Sequence, residues 1–213
     1  MHLDDYLEKL KILPFVSIIL TTINVGVYFF CRLPGSILYA KGCLRAYEII
    51  VHQEYGRILW AMFLHADISH LFSNMLILVF MGAMIEKVIG HLPFAGIYMA
   101  SGLIGNMLSL AGKLVYNDLT ASLGASGAIF GLDGLLLATV LFSGKQVENV
   151  TPVRVVLMIC LSLYSGFTGG NVDNFAHVGG LLAGFVIGMV YWICKRIFGD
   201  ETFDASYGGK GEY

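Results

Sequence analysis

The chain has 213 residues, of which 57% are hydrophobic and only 13% are charged, and its mean hydropathy is +0.75. Soluble globular domains carry about 25% charged residues, so this composition excludes an ordinary water-soluble enzyme and a disordered chain. The 13 Lys and Arg residues nearly balance the 15 Asp and Glu residues, which leaves no basic excess for binding nucleic acid. The composition therefore predicts an all-α membrane protein that crosses the bilayer several times.

Six stretches of the chain are long and apolar enough to cross a bilayer as helices. Such a helix needs about 20 residues, because it rises 1.5 Å per residue through a hydrocarbon core about 30 Å thick. The stretches are 13–31, 68–85, 92–112, 119–144, 155–172 and 174–194, and Asp133 is the one Asp, Glu, Lys or Arg within them. We predict a six-transmembrane helical bundle in which Gly166, Gly169 and Gly170 break the chain between the last two spans.

The loops and ends of the chain predict its orientation. We expect residues 1–12 to be a cytoplasmic N-terminal segment, 13–198 the six-helix core, and 199–213, which are polar and rich in glycine, a flexible tail. This orientation places more Lys and Arg residues on the cytoplasmic side than outside, as the positive-inside rule requires. No transit peptide is evident, which favours a bacterial plasma membrane.

The four cysteines contain no C-x-x-C pair. They are Cys31, Cys43, Cys160 and Cys194. We interpret them chiefly as small packing residues, with a disulfide between Cys31 and Cys43 as the alternative.

Polar side chains that are costly inside a bilayer cluster at the start of three spans. His65, His70 and Asn74 open the second span, Ser126 opens the fourth, and His177 opens the sixth. These three spans run in the same direction, so we expect His70, Ser126 and His177 at one depth, about 3–10 Å below the outer surface. This convergence predicts a functional site.

The residue types in this cluster are those that nucleophilic catalysis requires. A neutral histidine such as His177 can take the proton of a serine such as Ser126 near pH 7. His70, Asn74 and the backbone N–H groups near Ser126, at a helix N-terminus, can stabilise an oxyanion. No acid is obviously placed to orient His177, although Asp173 lies one helical turn before it. We therefore predict a Ser126–His177 dyad.

Each of these features also has a purely structural interpretation. Ser126 lies among Gly and Ala residues, a pattern typical of a packing face between transmembrane helices. A single His177 is typical of a buried structural histidine. His65, His70 and Asn74 on their own also suit half of a metal site or a set of interhelical hydrogen bonds. The coincidence of all these residues at one depth favours the catalytic interpretation.

Taken together, the motifs resemble those of the rhomboid family of intramembrane serine proteases, over about residues 57–191. The matching segments are His65-x4-His70-x3-Asn74, Gly124-Ala-Ser126-Gly127, Glu86 at the inner end of the second span, and Ala176-His177 followed by Gly180, Gly184 and Gly188. The glycine series also predicts close packing of the fourth and sixth spans.

The resemblance implies a role for each residue of the cluster. Ser126 is the implied nucleophile and His177 the implied general base. His70 and Asn74 are implied donors to the oxyanion, and Gly124 is implied to shape the approach to the nucleophile.

Three positions depart from the family's usual pattern. Phe130 replaces an aromatic residue, often Tyr, that stacks on the base, so the stack should persist without the hydroxyl and activity should survive. Gly56-Arg57 stands where the family usually has Trp-Arg in the first loop. Asp133 lies two turns below Ser126, and we expect it to bind water or to pair with a polar group across the bundle.

The function expected from these observations is that of an intramembrane serine endopeptidase. It would cleave transmembrane segments of other proteins within the lipid bilayer, without a cofactor or metal ion. Two alternatives are a catalytically silent rhomboid-like protein that binds client proteins and a membrane metalloenzyme with histidine ligands. A serine-reactive fluorophosphonate and EDTA would discriminate between serine and metal chemistry.

Overall fold

The structure is a computed structural model that describes residues 13–144, 147, 150–168 and 172–198, the side chains of 165–168 excepted. The expectations for the segments 1–12 and 199–213, and for Gly169 and Gly170 as helix breakers, lie outside the described residues. All four cysteines are described and free, so Cys31 and Cys43 form no disulfide.

The described chain consists of long helices joined by loops, with short helices in the first loop. In chain order the elements are α1 (Phe15–Cys31), α2 (Leu38–Gly42), α3 (Ala46–Ile50), α4 (Arg57–Trp60), a 3₁₀ turn (Ala61–Phe63), α5 (Ile68–Ile77), a π-helical turn (Leu78–Gly82), α6 (Ala83–Ile89), α7 (His91–Tyr116), α8 (Ser126–Phe142), α9 (Pro152–Thr168) and α10 (Asn174–Phe198). The helix α5, the π-helical turn and α6 form one continuous unit.

The long helices confirm the predicted membrane bundle. The continuous unit Ile68–Ile89 and the helices α7 and α10 are long and apolar enough to cross a membrane, by length and composition. The remaining long helices α1, α8 and α9 are apolar and 17 residues each. All the predicted spans therefore correspond to helices.

Two details of the predicted spans are wrong. The fourth span was expected over 119–144, but its helix begins only at Ser126, because the preceding segment pairs with the first loop and Gly124 has a φ of +130°. Gly166 was expected to break the helix, but α9 continues through Thr168. A single glycine costs a helix only about 1 kcal/mol relative to alanine, which the rest of the helix offsets.

Glycines bring α8 and α10 into backbone contact, as predicted. A β-carbon added at Gly180 would lie 1.9 Å from the carbonyl oxygen of Gly127, and one added at Gly184 would lie 1.9 Å from that of Gly131. Any side chain at these positions would separate the two helices. The contact aligns the start of α8 with the start of α10.

A buried carboxylate fixes α1 to the inner end of α6. Glu86 accepts the backbone N–H groups of Val16 and Ser17, both at 2.8 Å, and the Ser17 hydroxyl at 2.7 Å. The His91 ring nitrogen lies 2.5 Å from the same carboxylate. Glu86 therefore satisfies free N–H groups at the N-terminus of α1, where a negative charge is favourable.

Arg57 ties separate parts of the first loop together. Its side chain is 5% exposed and donates to the carbonyl oxygens of Ala40 and Cys43, both at 2.9 Å, and to the Glu54 carboxylate at 2.7 Å. The arginine thus holds the loop, although Gly56 replaces the tryptophan that usually precedes it in the resembling family. The anchored loop lies next to the segment that leads to Ser126.

Candidate active site

The first turns of α8 and α10 bring Ser126 and His177 into contact. The Ser126 hydroxyl oxygen lies 2.9 Å from Nε2 of His177. Ser126 is the first residue of α8 and is half-buried, whereas His177 is 7% exposed. The two residues predicted to share one depth are therefore within hydrogen-bond distance.

The imidazole ring of His177 is held by an aromatic stack. The Phe130 ring lies parallel to it, with 4.2 Å between ring centroids and an interplanar angle of 19°. Phe130 is one turn beyond Ser126 on α8, so a single helix carries the hydroxyl and the stacking ring. Nδ1 of His177 is buried and has no hydrogen-bond partner among the described residues. This geometry matches a Ser–His pair without a third, orienting acid.

Asp173 forms no hydrogen bond with the imidazole of His177. Its carboxylate accepts the backbone N–H of Ala176 at 3.0 Å and the hydroxyl hydrogen of Ser109. It therefore caps the N-terminus of α10 and links this helix to α7.

Gly124 allows the ring of His70 to approach the nucleophile. A β-carbon at Gly124 would lie 2.9 Å from Cε1 and 3.0 Å from Nε2 of His70, and 3.6 Å from the Ser126 hydroxyl oxygen. The backbone of Gly124 has a φ of +130°, which side chains other than hydrogen rarely permit. Gly124 therefore provides both the turn and the space beside Ser126.

Asn74 lies one turn after His70 and is tied to His65. Its amide nitrogen lies 3.0 Å from Nε2 of His65, and the ring of His65 meets that of His70 edge to face, with centroids 5.1 Å apart. Burial lowers the pKa of His65 to about 4, so the ring is neutral near pH 7 and its Nε2 can accept the amide hydrogen. The second amide hydrogen of Asn74 stays available to another acceptor.

The helix that carries His70 and Asn74 begins with a capping aspartate. Asp67 accepts the backbone N–H of His70 at 2.9 Å, and this hydrogen bond lowers the pKa of the Asp67 carboxyl. An Asp three residues before the residue it caps is a recognisable N-cap signal. The supporting contacts of Asp67 and His65 were not predicted, although the N-cap signal of Asp67 is present in the sequence.

Two expectations find no counterpart among the described residues: a metal site formed with the histidines, and a polar partner for Asp133. Within the described ranges, no three His, Cys, Asp or Glu side chains gather closely enough to hold a metal ion. Asp133 is 5% exposed, and no described side chain forms a hydrogen bond or ion pair with it. The pairing across the bundle therefore finds no partner among the described side chains, and a water bound to Asp133 stays a prediction.

Comparison with known proteins agrees with this architecture. A family model described as "Rhomboid domain" matches residues 52–194. RHOMBOID-like protein 1 of Arabidopsis thaliana is 34% identical over 163 residues, which are 75% of this chain and 41% of the relative. Rhomboid-like protease 1 of Toxoplasma gondii is 36% identical over 148 residues, which are 67% of this chain and 49% of the relative. Rhomboid protease GluP of Bacillus subtilis is 36% identical over 138 residues, which are 65% of this chain and 26% of the relative.

The helices and the polar cluster define a multi-pass α-helical membrane protein with a serine and a histidine in contact near one end of the bundle. Because the family model covers more than half of the chain, the chain belongs to the rhomboid family. The family predicted from the motifs is thus confirmed. The chain spans about half or less of the length of the first relatives.

Proposed function

We propose that the protein is an intramembrane serine endopeptidase that cleaves transmembrane segments with Ser126 as nucleophile and His177 as general base. The observation that carries the proposal is the 2.9 Å contact between the Ser126 hydroxyl oxygen and Nε2 of His177. Membership of a family that includes named proteases supports the same reaction class.

The proposed reaction has two stages. In the first stage, His177 takes the hydroxyl proton as the Ser126 oxygen bonds to the carbonyl carbon of the scissile peptide, giving a tetrahedral oxyanion. The C–N bond then breaks, the departing amine takes the proton from His177, and an acyl-enzyme remains. In the second stage, His177 deprotonates a water that attacks the acyl carbon. The bond between this carbon and the Ser126 oxygen then breaks, His177 returns the proton to that oxygen, and the carboxyl fragment leaves.

The donors next to Ser126 are suited to the oxyanion. His70 lies beside Gly124 and the hydroxyl of Ser126, Asn74 keeps an amide hydrogen available, and the backbone N–H of Ser126 is at the positive end of a helix dipole. We assign oxyanion stabilisation to these three donors. One such donor contributes about 10²–10³-fold in kcat in a well-studied serine protease.

Substrate choice follows from the need to expose a peptide bond. A carbonyl in a helix is occupied by its i+4 partner, so we expect substrate segments with Gly or Pro near the cleavage site, where helices are weak. By family resemblance, we expect a small side chain at the cleaved position. The partners are therefore other membrane proteins, presented within the lipid bilayer.

Cleavage by purified protein tests the proposal. Wild type should cleave a model transmembrane substrate, and Ser126→Ala and His177→Ala should both abolish cleavage while retaining the helical circular dichroism spectrum. Asn74→Ala should lower kcat about 10²-fold, by loss of an oxyanion donor. Cleavage by Ser126→Ala at the wild-type rate would overturn the proposal.

Two inhibitors distinguish the alternatives. A serine-reactive fluorophosphonate should label wild type but not Ser126→Ala, and EDTA should leave cleavage unchanged. Inhibition by EDTA without labelling would favour a metalloenzyme. Binding of the substrate without cleavage or labelling would favour a silent client-binding protein.

We also propose that the protein resides in a bacterial plasma membrane with Ser126 towards the outer side. The excess of Lys and Arg on the opposite side supports this orientation. Protease protection of the first loop in sealed, inside-out membrane vesicles tests it, because an outer loop should resist external protease there.

A further inference from the structure

Asp173 joins the helix of the proposed base to a neighbouring helix. It lies one turn before His177, and its carboxylate accepts the Ala176 N–H of α10 at 3.0 Å and the hydroxyl hydrogen of Ser109, a residue of α7. Hydrogen bonds to a carboxylate are about twice as strong as bonds between neutral groups. This side chain therefore adds hydrogen bonds between the first turn of α10 and α7, where Gly105 and Gly112 already allow Ala176 and Phe175 to pack closely.

Ser109 extends this connection towards the nucleophile. It is fully buried, and its hydroxyl oxygen lies 3.4 Å from that of Ser122. Ser109 has one hydroxyl hydrogen, which it donates to Asp173. A hydrogen bond between the two serines therefore requires the Ser122 hydroxyl to donate to the Ser109 oxygen. Ser122 lies four residues before Ser126 and is itself held by paired backbone hydrogen bonds with Leu44, at 2.9 and 3.0 Å.

We propose that Asp173 is a positioning residue that acts through Ser109 and Ser122 to hold His177 in register with Ser126. This inference rests on the proposed function. The hydrogen-bonded series starts on the helix that carries the base and ends on the segment that carries the nucleophile. It therefore fixes the relative placement of the two reacting groups without touching either.

The imidazole depends on such indirect positioning. Nδ1 of His177 has no hydrogen-bond partner among the described residues, so apart from the contact of Nε2 with Ser126 the ring is placed by its stack on Phe130 and by the first turn of α10. The glycine contacts between α8 and α10 act on the two backbones, from Gly127 beside Ala176 down to Gly188. They set the separation of the helices, whereas the Asp173 bonds fix the outer end, where a shift of about 1 Å is enough to cost about 10²-fold in rate.

The surrounding cavity supplies a matched control. Asp173, Ser109 and Ser122 line an outward-open cavity of about 600 Å³ that also contains Lys113 and Asp118. Asp118 accepts hydrogen bonds from the Lys113 ammonium group at 3.0 Å and from the backbone N–H and hydroxyl of Thr120 at 2.8 and 2.9 Å. None of these partners belongs to α10, so Asp118→Asn removes a carboxylate from the same cavity and leaves the hydrogen bonds of Asp173 in place.

The test compares Asp173→Ala, Ser109→Ala, the double variant and the control Asp118→Asn in the full-length protein in detergent. It measures kcat and KM on a model transmembrane substrate, the rate constant of fluorophosphonate labelling at Ser126, and the thermal midpoint. Asp173→Ala should lower kcat and the labelling rate about 10–100-fold with KM unchanged within about twofold. Asp118→Asn should leave kcat and labelling at the wild-type level.

Coupling and rescue separate positioning from general stabilisation. The double variant should be no slower than Asp173→Ala, because both substitutions interrupt one series of hydrogen bonds. Asp173→Asn, which can still cap α10 and bond Ser109, should recover part of the labelling rate. If Asp173→Ala does not fold, Ser109→Ala decides the matter, since it leaves the cap intact.

Three results would overturn the inference. The first is a wild-type labelling rate in folded Asp173→Ala or, where that variant does not fold, in Ser109→Ala. The second is a fully additive loss of labelling rate in the double variant. The third is a loss in Asp118→Asn equal to that in Asp173→Ala. In each case wild type stays active and only the role of Asp173 fails. If wild type neither cleaves nor is labelled, the proposed function itself fails, and the inference with it.

Discussion

Asp133 is the residue whose chemistry agrees least with its surroundings. The residue is 5% exposed and follows the fully buried Leu132 in the middle of α8. No described side chain forms a hydrogen bond or ion pair with it, and moving a polar group out of water without a partner costs about 1–3 kcal/mol by mutational measurements. Asp133 follows Ser126 by seven residues and so shares its face of the helix, but it takes no part in the proposed reaction.

Replacing this carboxyl group should stabilise the protein. We expect Asp133→Leu to raise the free energy of unfolding by about 1–3 kcal/mol, since an apolar side chain removes the cost of burial. Asp133→Asn, which keeps an unsatisfied polar group, should gain little. Equilibrium unfolding in mixed detergent measures both, and a loss of stability in Asp133→Leu would show that the carboxyl has a stabilising partner.

At this scale the sequence predicts which polar residues meet at the proposed site better than it predicts the residues that support them. Ser126, His177 and His70 were predictable because serine and histidine are costly inside spans and carry a known spacing. The link from Asp173 to Ser109 was not, because it joins residues 64 positions apart and leaves no periodic signal in either segment.

At the scale of elements, the contact between α8 and α10 decides where the site forms. Three glycines of α10 face α8, and a β-carbon at Gly184 would lie 1.9 Å from the carbonyl oxygen of Gly131. The spacing of four residues was visible in the sequence, so this contact was predictable. The start of α8 was not predictable, because residues 119–125 continue the apolar run of the helix that follows. In the structure this segment pairs with the first loop instead.

A pair of matched Gly→Ala substitutions tests this contact. Gly184→Ala should cost about 1–3 kcal/mol of unfolding free energy by overpacking and should reduce fluorophosphonate labelling, because α10 carries His177. Gly96→Ala, in a helix but with no atom within 4 Å of the added β-carbon, should be neutral or up to about 1 kcal/mol more stable. Equal effects of the two substitutions on the thermal midpoint would contradict the role assigned to the contact.

At the scale of the whole molecule, a second cavity lies on the side of the bundle between α9 and the unit formed by α5, the π-helical turn and α6. It has a volume of about 560 Å³, and its lining is largely apolar, including Leu76, Phe80, Val155 and Met158. A helix about 11 Å wide fills about 500 Å³ per turn, so the cavity accommodates about one turn of a substrate helix. We propose that substrates enter laterally here, with α9 as the movable side.

Filling this cavity should separate substrate entry from chemistry. Met158→Trp places a larger side chain in the cavity and should lower cleavage of a transmembrane substrate at least about tenfold, a change in binding free energy of about 1.4 kcal/mol. Labelling of Ser126 by a small fluorophosphonate should stay at the wild-type rate, because that reagent is far smaller than a helix and does not need this cavity. Leu161→Trp, on the same helix but 69% exposed and outside the cavity lining, is the control and should affect neither reaction. Unchanged cleavage in Met158→Trp, or an equal loss of cleavage and labelling, would show that substrates reach Ser126 by another route.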